Sequence, residues 1–128
     1  MIGRTPSVAV VDDDLSLLQS LENLFESAGF IVKTYSSAEE LLAAGLAGID
    51  CLLADIGMPG TDGFELHGIV KGLRPDLPVF LITGRHEIAD QQRARANDIA
   101  GFFRKPFDGP TLLAAIDQAL RSQKKERS

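Results

Sequence analysis

One cysteine, Cys51, stands in a chain of 128 residues, and tryptophan is absent. A lone thiol closes no internal disulfide, so Cys51 reads as a small buried hydrophobe in its apolar run. Histidine is nearly as scarce, with two residues. His67 and His86 have no partner at ligand spacing, which argues against a histidine-held metal and leaves both as ordinary residues. No apolar run approaches the length of a membrane span, and residues 1–6 lack the apolar segment of a signal peptide, so a cytoplasmic protein without membrane attachment is expected. Clustered positive charge is confined to Lys124, Lys125 and Arg127. With a net charge of -5, direct nucleic-acid binding by this domain is not expected. There is no internal repeat and no low-complexity tract. The length suits one core, with residues 1–6 as a flexible N-terminus, 7–121 as the folded domain and 122–128 as a polar tail or the start of a linker.

What the chain does have is an alternation of short apolar runs with helical stripes. Ser7–Val11 is apolar and β-branched, as a strand buried on both faces must be. It stops at Asp12-Asp13-Asp14, where Asp14 is placed to cap a helix. Leu17, Leu21, Leu24 and Ala28 recur on one face of that helix, Leu18 and Phe25 widen the stripe, and Gly29 ends it in the left-handed conformation. Residues 30–35 form a second strand whose Lys33 suits a sheet edge. Ser37 and Glu40 fit a capping box for a helix reaching about Leu46. Residues 49–54 are a central strand closed by Asp55, after which Gly57, Pro59, Gly60 and Gly63 interrupt regular structure.

Phe64, Ile69, Val70 and Leu73 mark a third helix that ends before Pro75, and residues 79–82 are a fourth strand ending at Thr83-Gly84. Residues 87–96 are helical by composition, with only Ile88, Ala89, Ala94 and Ala96 available for burial. Residues 100–103 are a fifth strand ending at Arg104-Lys105-Pro106. The last helix opens near Asp108 or Gly109, tolerates Pro110 in its first turn, and buries Leu112, Leu113, Ile116, Ala119 and Leu120.

Five strands alternating with five helices predict a doubly wound α/β sandwich, a parallel sheet with helices on both faces. All carboxyl ends of a parallel sheet lie on one edge, where ligands bind. Asp12 and Asp13 from the first strand therefore meet Asp55 from the third, Thr83 from the fourth and Lys105 from the fifth. Carboxylates this close raise one another's pKa and destabilise the fold unless they are compensated. Lys105 supplies one positive charge. A hard divalent cation supplies another, and Mg²⁺ in particular takes one or two carboxylates and completes its octahedron with water and phosphate oxygens. That compensation asks for a phosphoryl group, and an ionised carboxylate aimed from a buried strand end is suited to accept one.

The dispersed motifs Val11-Asp12-Asp13, Asp55 with Met58-Pro59 and Asp62-Gly63, Thr83-Gly84, and Lys105-Pro106-Phe107 resemble those of a response-regulator receiver domain of two-component signalling. The resemblance runs from Val8 to about Leu120, and the last two motifs look closest to FixJ-type receivers. It implies a flavodoxin-like (βα)5 sandwich with strand order 2-1-3-4-5. It implies that Asp55 is the phosphoacceptor, that Asp12 and Asp13 hold Mg²⁺ with Asp55, and that the backbone carbonyl of Gly57 completes the site. Thr83 and Lys105 would bind the phosphoryl oxygens. The donor would be a phosphohistidine of a sensor histidine kinase or phosphotransfer protein, and small phosphodonors would also serve. Such a chain is a signalling switch rather than an ordinary enzyme, catalysing only its own phosphoryl uptake and loss. Phe102 matches the aromatic that turns inward as Thr83 moves. The surface of the fourth helix, fifth strand and last helix would carry the output, including a homodimer. The resemblance also implies a cis peptide at Lys105-Pro106. Gly57 and Gly84 depart from the commonest pattern by placing no side chain beside the phosphoryl group.

Plainer roles suit some of these acids. Asp14 reads as a cap and Asp62 as a turn residue before Gly63. A dinucleotide or flavin domain would need a glycine- or hydroxyl-rich loop after the first strand, where three aspartates stand instead. An aspartyl phosphatase would place a second acid where Gly57 lies. A phosphorylation-independent interaction module on the same scaffold is the remaining alternative, and it would not respond to Mg²⁺.

Overall fold

Five strands, β1 (Ser7–Val11), β2 (Ile31–Tyr35), β3 (Cys51–Asp55), β4 (Val79–Thr83) and β5 (Gly101–Arg104), pair in parallel in the order β2-β1-β3-β4-β5. They alternate with helices α1 (Leu15–Ser27), α2 (Ala38–Ala44), α3 (Gly63–Leu73), α4 (Ile88–Ala96) and α5 (Gly109–Arg127). The structure, a computed structural model, describes residues 5–84, 88–97 and 99–127, with side chains through residue 122. The expected flexible N-terminus lies outside the described residues at 1–4, while the carbonyl of Pro6 already accepts the amide of Ile31 at 2.9 Å.

Strand alternation divides the core in two. Ala9, Val11, Leu52, Ala54 and Leu81 point to the face covered by α2, α3 and α4, with Leu41, Phe64, Leu66 and Val70 against them. Val8, Val10, Cys51, Leu53, Phe80 and Ile82 point to the face covered by α1 and α5, meeting Leu18, Leu21, Phe25, Leu112 and Ile116. β1, β3 and β4 are buried throughout, which is why they read as unbroken apolar runs. β2 lies at the edge and exposes Lys33. Cys51 is buried, and burial pushes its thiol pKa far up, so it acts as a core hydrophobe.

Several local expectations shift. The buried face of α1 is Leu18, Leu21 and Phe25, while Leu17 and Leu24 are half-buried and Ala28 is exposed. α3 buries Leu66 and His67 and turns Ile69 and Leu73 to the surface. α2 stops at Ala44, because Gly45 takes a φ of 90°. Ser37 caps it by accepting the Glu40 amide at 3.1 Å, but the Glu40 carboxylate accepts the amide and hydroxyl of Ser36 rather than closing a capping box on Ser37. The polar tail continues α5 as helix to Arg127.

α4 is the helix with least behind it. Its buried residues are Asp90 and Ala94, whereas the expected Ile88 is 73% exposed and Ala89 and Ala96 are exposed. Glu87 lies outside the described residues. One buried methyl contributes about 1 kcal/mol, against roughly 1.5–3 kcal/mol for each large side chain that α1 buries. Part of the difference is made up by Arg93, whose guanidinium lies 4.4 Å from the ring centroid of Phe64 on α3.

Candidate functional site

Three backbone hydrogen bonds extend the ladders past the strand ends and set the positions of the site. The Asp12 amide donates to Tyr35 O at 3.1 Å, the Ile56 amide to Ile82 O at 2.9 Å, and the Lys105 amide to Thr83 O at 2.7 Å. Asp12, Asp55, Thr83 and Lys105 are thereby held at one edge of a rigid sheet. The Lys105-Pro106 peptide is cis, as the resemblance implied.

Asp12, Asp13 and Asp55 each bring a carboxylate oxygen to within 4.8 Å of the others. Asp12 is fully buried, Asp55 is 6% exposed, and Asp13 opens to solvent. The Asp14 amide donates to Asp12 Oδ1 at 2.9 Å, and the Lys105 ammonium donates to Asp12 Oδ2 at 3.1 Å. The same ammonium lies 3.7 Å from Asp55 Oδ2, and the Gly57 amide donates to Asp55 Oδ1 at 3.3 Å. Burial first, and then the charge of Asp55, hold the Asp12 carboxyl above its ordinary value, against the opposing pull of the Asp14 amide and Lys105.

The donor set fits a hard divalent cation: three carboxylates converge, and one of them is buried with a raised pKa. Among the described residues it is the only group of three acidic, histidine or cysteine side chains so arranged, and Asp62 is not part of it. Asp62 instead caps α3, exchanging hydrogen bonds of 2.9 and 3.0 Å with Glu65 in a capping box. His67 is buried in α3 and is not part of that group, and His86 lies outside the described residues.

Thr83 is buried at the end of β4, opposite Arg104 in the register. A Cβ on Gly57 would lie 3.8 and 3.9 Å from the Asp55 carboxylate oxygens, so position 57 flanks that carboxylate directly. Phe102 is half-buried opposite Leu81, beside a cavity of about 310 Å³ that α4 lines with Gln91, Ala94 and Arg95. A second, more apolar groove of about 400 Å³ adjoins Lys105 and is lined by Asp14, Leu17, Pro106 and Phe107.

Three features of the site went unread in the sequence. Asp14 serves Asp12 through its backbone amide while its side chain caps α1, a turn that the run of aspartates could have signalled. Gly63 packs so closely that a Cβ there would lie 2.7 Å from Asp55 O and 2.8 Å from Ile56 Cα. Glu39 of α2 accepts the Thr61 amide at 3.2 Å, and no local pattern announces that contact across 22 residues.

Among the described residues, no helix is long and apolar enough to cross a membrane. The family model for the response regulator receiver domain matches residues 8–117. The C4-dicarboxylate transport transcriptional regulatory protein DctD of Rhizobium meliloti is 38% identical over 129 residues, covering 98% of this chain and 27% of that protein. The transcriptional regulatory protein FixJ of Bradyrhizobium diazoefficiens is 34% identical over 116 residues, covering 89% of this chain and 56% of that protein. The chain thus spans about a quarter to just over half the length of these relatives. Among solved structures, a CheY-like response regulator receiver domain protein from Methanospirillum hungatei superposes with a TM-score of 0.89 at 27% identity, covering 96% of this chain and 99% of that one.

Proposed function

Because the chain belongs to the response regulator receiver domain family, we propose that it is a phosphorylation-activated switch whose Asp55 accepts a phosphoryl group from the phosphohistidine of a sensor histidine kinase or phosphotransfer protein. The observation that carries the reading is the convergence on Asp55 of two further carboxylates, at 4.8 Å or less, and of the Lys105 ammonium at 3.7 Å. Asp12, Asp13, Asp55 and the Gly57 carbonyl would hold Mg²⁺. When bound, the ion neutralises charge on the transferred group and on the acids around it.

An Asp55 carboxylate oxygen attacks phosphorus. The new O–P bond forms as the P–N bond to the donor histidine breaks, and the released imidazole takes a proton from solvent. Little more than positioning and charge neutralisation is asked of the acceptor. The strand end supplies the positioning, and Lys105 carries its ammonium from the carboxylates to the phosphoryl oxygens as these appear. The apolar groove beside Lys105 gives a donor protein a surface next to Asp55. Hydrolysis, in which water attacks phosphorus and the O–P bond to Asp55 breaks, returns carboxylate and phosphate.

The doubly charged acyl phosphate also offers strong acceptors to Thr83 at the end of β4. As Thr83 is drawn inward, Phe102 turns into the vacated space; it has no hydroxyl whose hydrogen bond would be lost. The cavity between α4 and β5 and the scant packing of α4 leave this side of the molecule free to rearrange, so the α4, β5 and α5 surface carries the output and a homodimer. A cytoplasmic location follows from the kinase partner.

The test is intact-protein mass spectrometry after incubation with acetyl phosphate, with and without Mg²⁺. A single Mg²⁺-dependent phosphoryl adduct that is missing in Asp55→Asn supports the reading. Absence of the adduct together with absence of Mg²⁺ binding would favour an interaction module indifferent to phosphate.

A further inference from the structure

The loop 56–62, which leads from Asp55 to α3, is anchored at both ends. The Ile56 amide is tied to Ile82 O, and Asp62 is fixed by its capping box with Glu65. Between these anchors lies Gly57, whose own amide makes only a long 3.3 Å hydrogen bond to Asp55. An additional restraint reaches the loop from another element. Glu39, in the first turn of α2, accepts the Thr61 amide at 3.2 Å and also a hydrogen bond from the Thr61 side chain.

An acid in a helix's first turn is ordinarily explained by the helix dipole. Here that local role is filled by the neighbouring Glu40, whose carboxylate accepts the amide and hydroxyl of Ser36. Glu39 accepts its own backbone amide and, beyond that local bond, reaches out of α2 to Thr61. Gly60 makes room for it: with a φ of 76° and no side chain, it lets the Glu39 oxygens lie 3.4 and 3.6 Å from where a Cβ would stand. The Thr61 hydroxyl first, then the amides of Glu39 itself and of Thr61, hold the Glu39 carboxyl below its ordinary value, so it meets the loop as a charged acceptor at neutral pH.

We propose that Glu39 is a positioning residue for phosphoryl transfer: by clamping Thr61 across Gly60 it fixes the loop that presents the Gly57 carbonyl to the acidic cluster. The inference rests on the reading of Asp55 and Gly57 given above. It assigns to α2 a task in the chemistry, although α2 contributes no atom to the cluster.

The experiment measures Mg²⁺ affinity by titration calorimetry and amide hydrogen exchange over 57–61 by NMR, for the parent, Glu39→Ala, Glu39→Gln, Thr61→Val and the Glu39→Ala/Thr61→Val pair. The expected result is that Glu39→Ala weakens Mg²⁺ binding about two- to fivefold, a modest loss because the hydrogen bond removed is exposed. Glu39→Gln, which keeps an acceptor without the charge, falls between it and the parent. The double variant loses less than the sum of the two single losses, because the bond from the Thr61 hydroxyl is removed by each, while Thr61→Val alone keeps the amide bond. Exchange at 57 and 61 quickens in Glu39→Ala even without Mg²⁺. Unchanged exchange would overturn the clamp, and faster exchange with unchanged Mg²⁺ affinity would overturn its positioning role. Failure of the parent itself to bind Mg²⁺ would overturn the underlying reading of the site, a result distinct from any difference among the variants.

Discussion

Lys105 lies closer to Asp12 than to Asp55, 3.1 Å against 3.7 Å, so the buried carboxylate rather than the expected acceptor is its nearer partner. The lysine side chain is 26% exposed and that of Asp12 not at all, which makes this pair unlike a surface ion pair contributing little. Removing the ammonium leaves a buried carboxylate short of a donor. Lys105→Ala is expected to cost about 1–3 kcal/mol in denaturant unfolding without metal. It should also slow phosphoryl uptake by about a hundredfold or more, because a preorganised cation at the transferred group is lost. Adding Asp12→Asn to it should recover the stability and leave uptake low.

The raised pKa of Asp12 has a consequence for pH. Burial raises it in the folded protein above the ordinary 3.8, so between these two values the folded state binds the extra proton. Stability therefore falls as pH rises from about 3.8 through the folded pKa, and the unfavourable ionisation is fully present above that pKa. In chelator, Asp12→Asn should raise the melting temperature at pH 7, and the gain should shrink as the buffer is brought down towards pH 4. A gain that grows on acidification would contradict this assignment.

Gly63 separates close packing from loop freedom. The 2.7 Å approach to Asp55 O is to backbone, which has no rotamer by which to move away. Gly63→Ala is expected to destabilise by about 1–3 kcal/mol, and because the displaced carbonyl belongs to Asp55, phosphoryl uptake should slow too. Gly84→Ala is the comparison. Nothing lies within 4 Å of its Cβ position, and its unfolding midpoint should stay near the parent's.

α4 owes part of its attachment to the Arg93 guanidinium over Phe64. Arg93→Ala should remove about 0.5–1 kcal/mol. Hydrogen exchange should show this as a several-fold faster opening of 88–96, with exchange in β1 and β3 unaffected.

How much of this was legible follows from what kind of interaction places each part. Val8–Val11 and the run ending at Asp55 are buried on both faces, so composition alone marks them as strands, and parallel pairing then gathers Asp12, Asp13, Asp55, Thr83 and Lys105 on one edge. Helix faces were read less well. α1 carries leucine at 15, 17, 18, 21 and 24, so several rotations bury a comparable stripe, and packing against Val8, Val10 and α5 selects the one centred on Leu18, Leu21 and Phe25. In α3 the approach of Gly63 to the Asp55 backbone accompanies a rotation that buries Leu66 and His67 and exposes Ile69 and Leu73. The Glu39–Thr61 and Arg93–Phe64 contacts join separate elements that the folded sheet brings together, and no periodicity encodes them.

The most direct test of the central claim is to locate the phosphoryl group. The protein is incubated with acetyl phosphate and Mg²⁺, reduced with borohydride, which converts an aspartyl phosphate to homoserine, and mapped by peptide mass spectrometry. The account predicts homoserine at position 55 and intact aspartate at 12 and 13. Homoserine at 12 or 13 with Asp55 unchanged would contradict it.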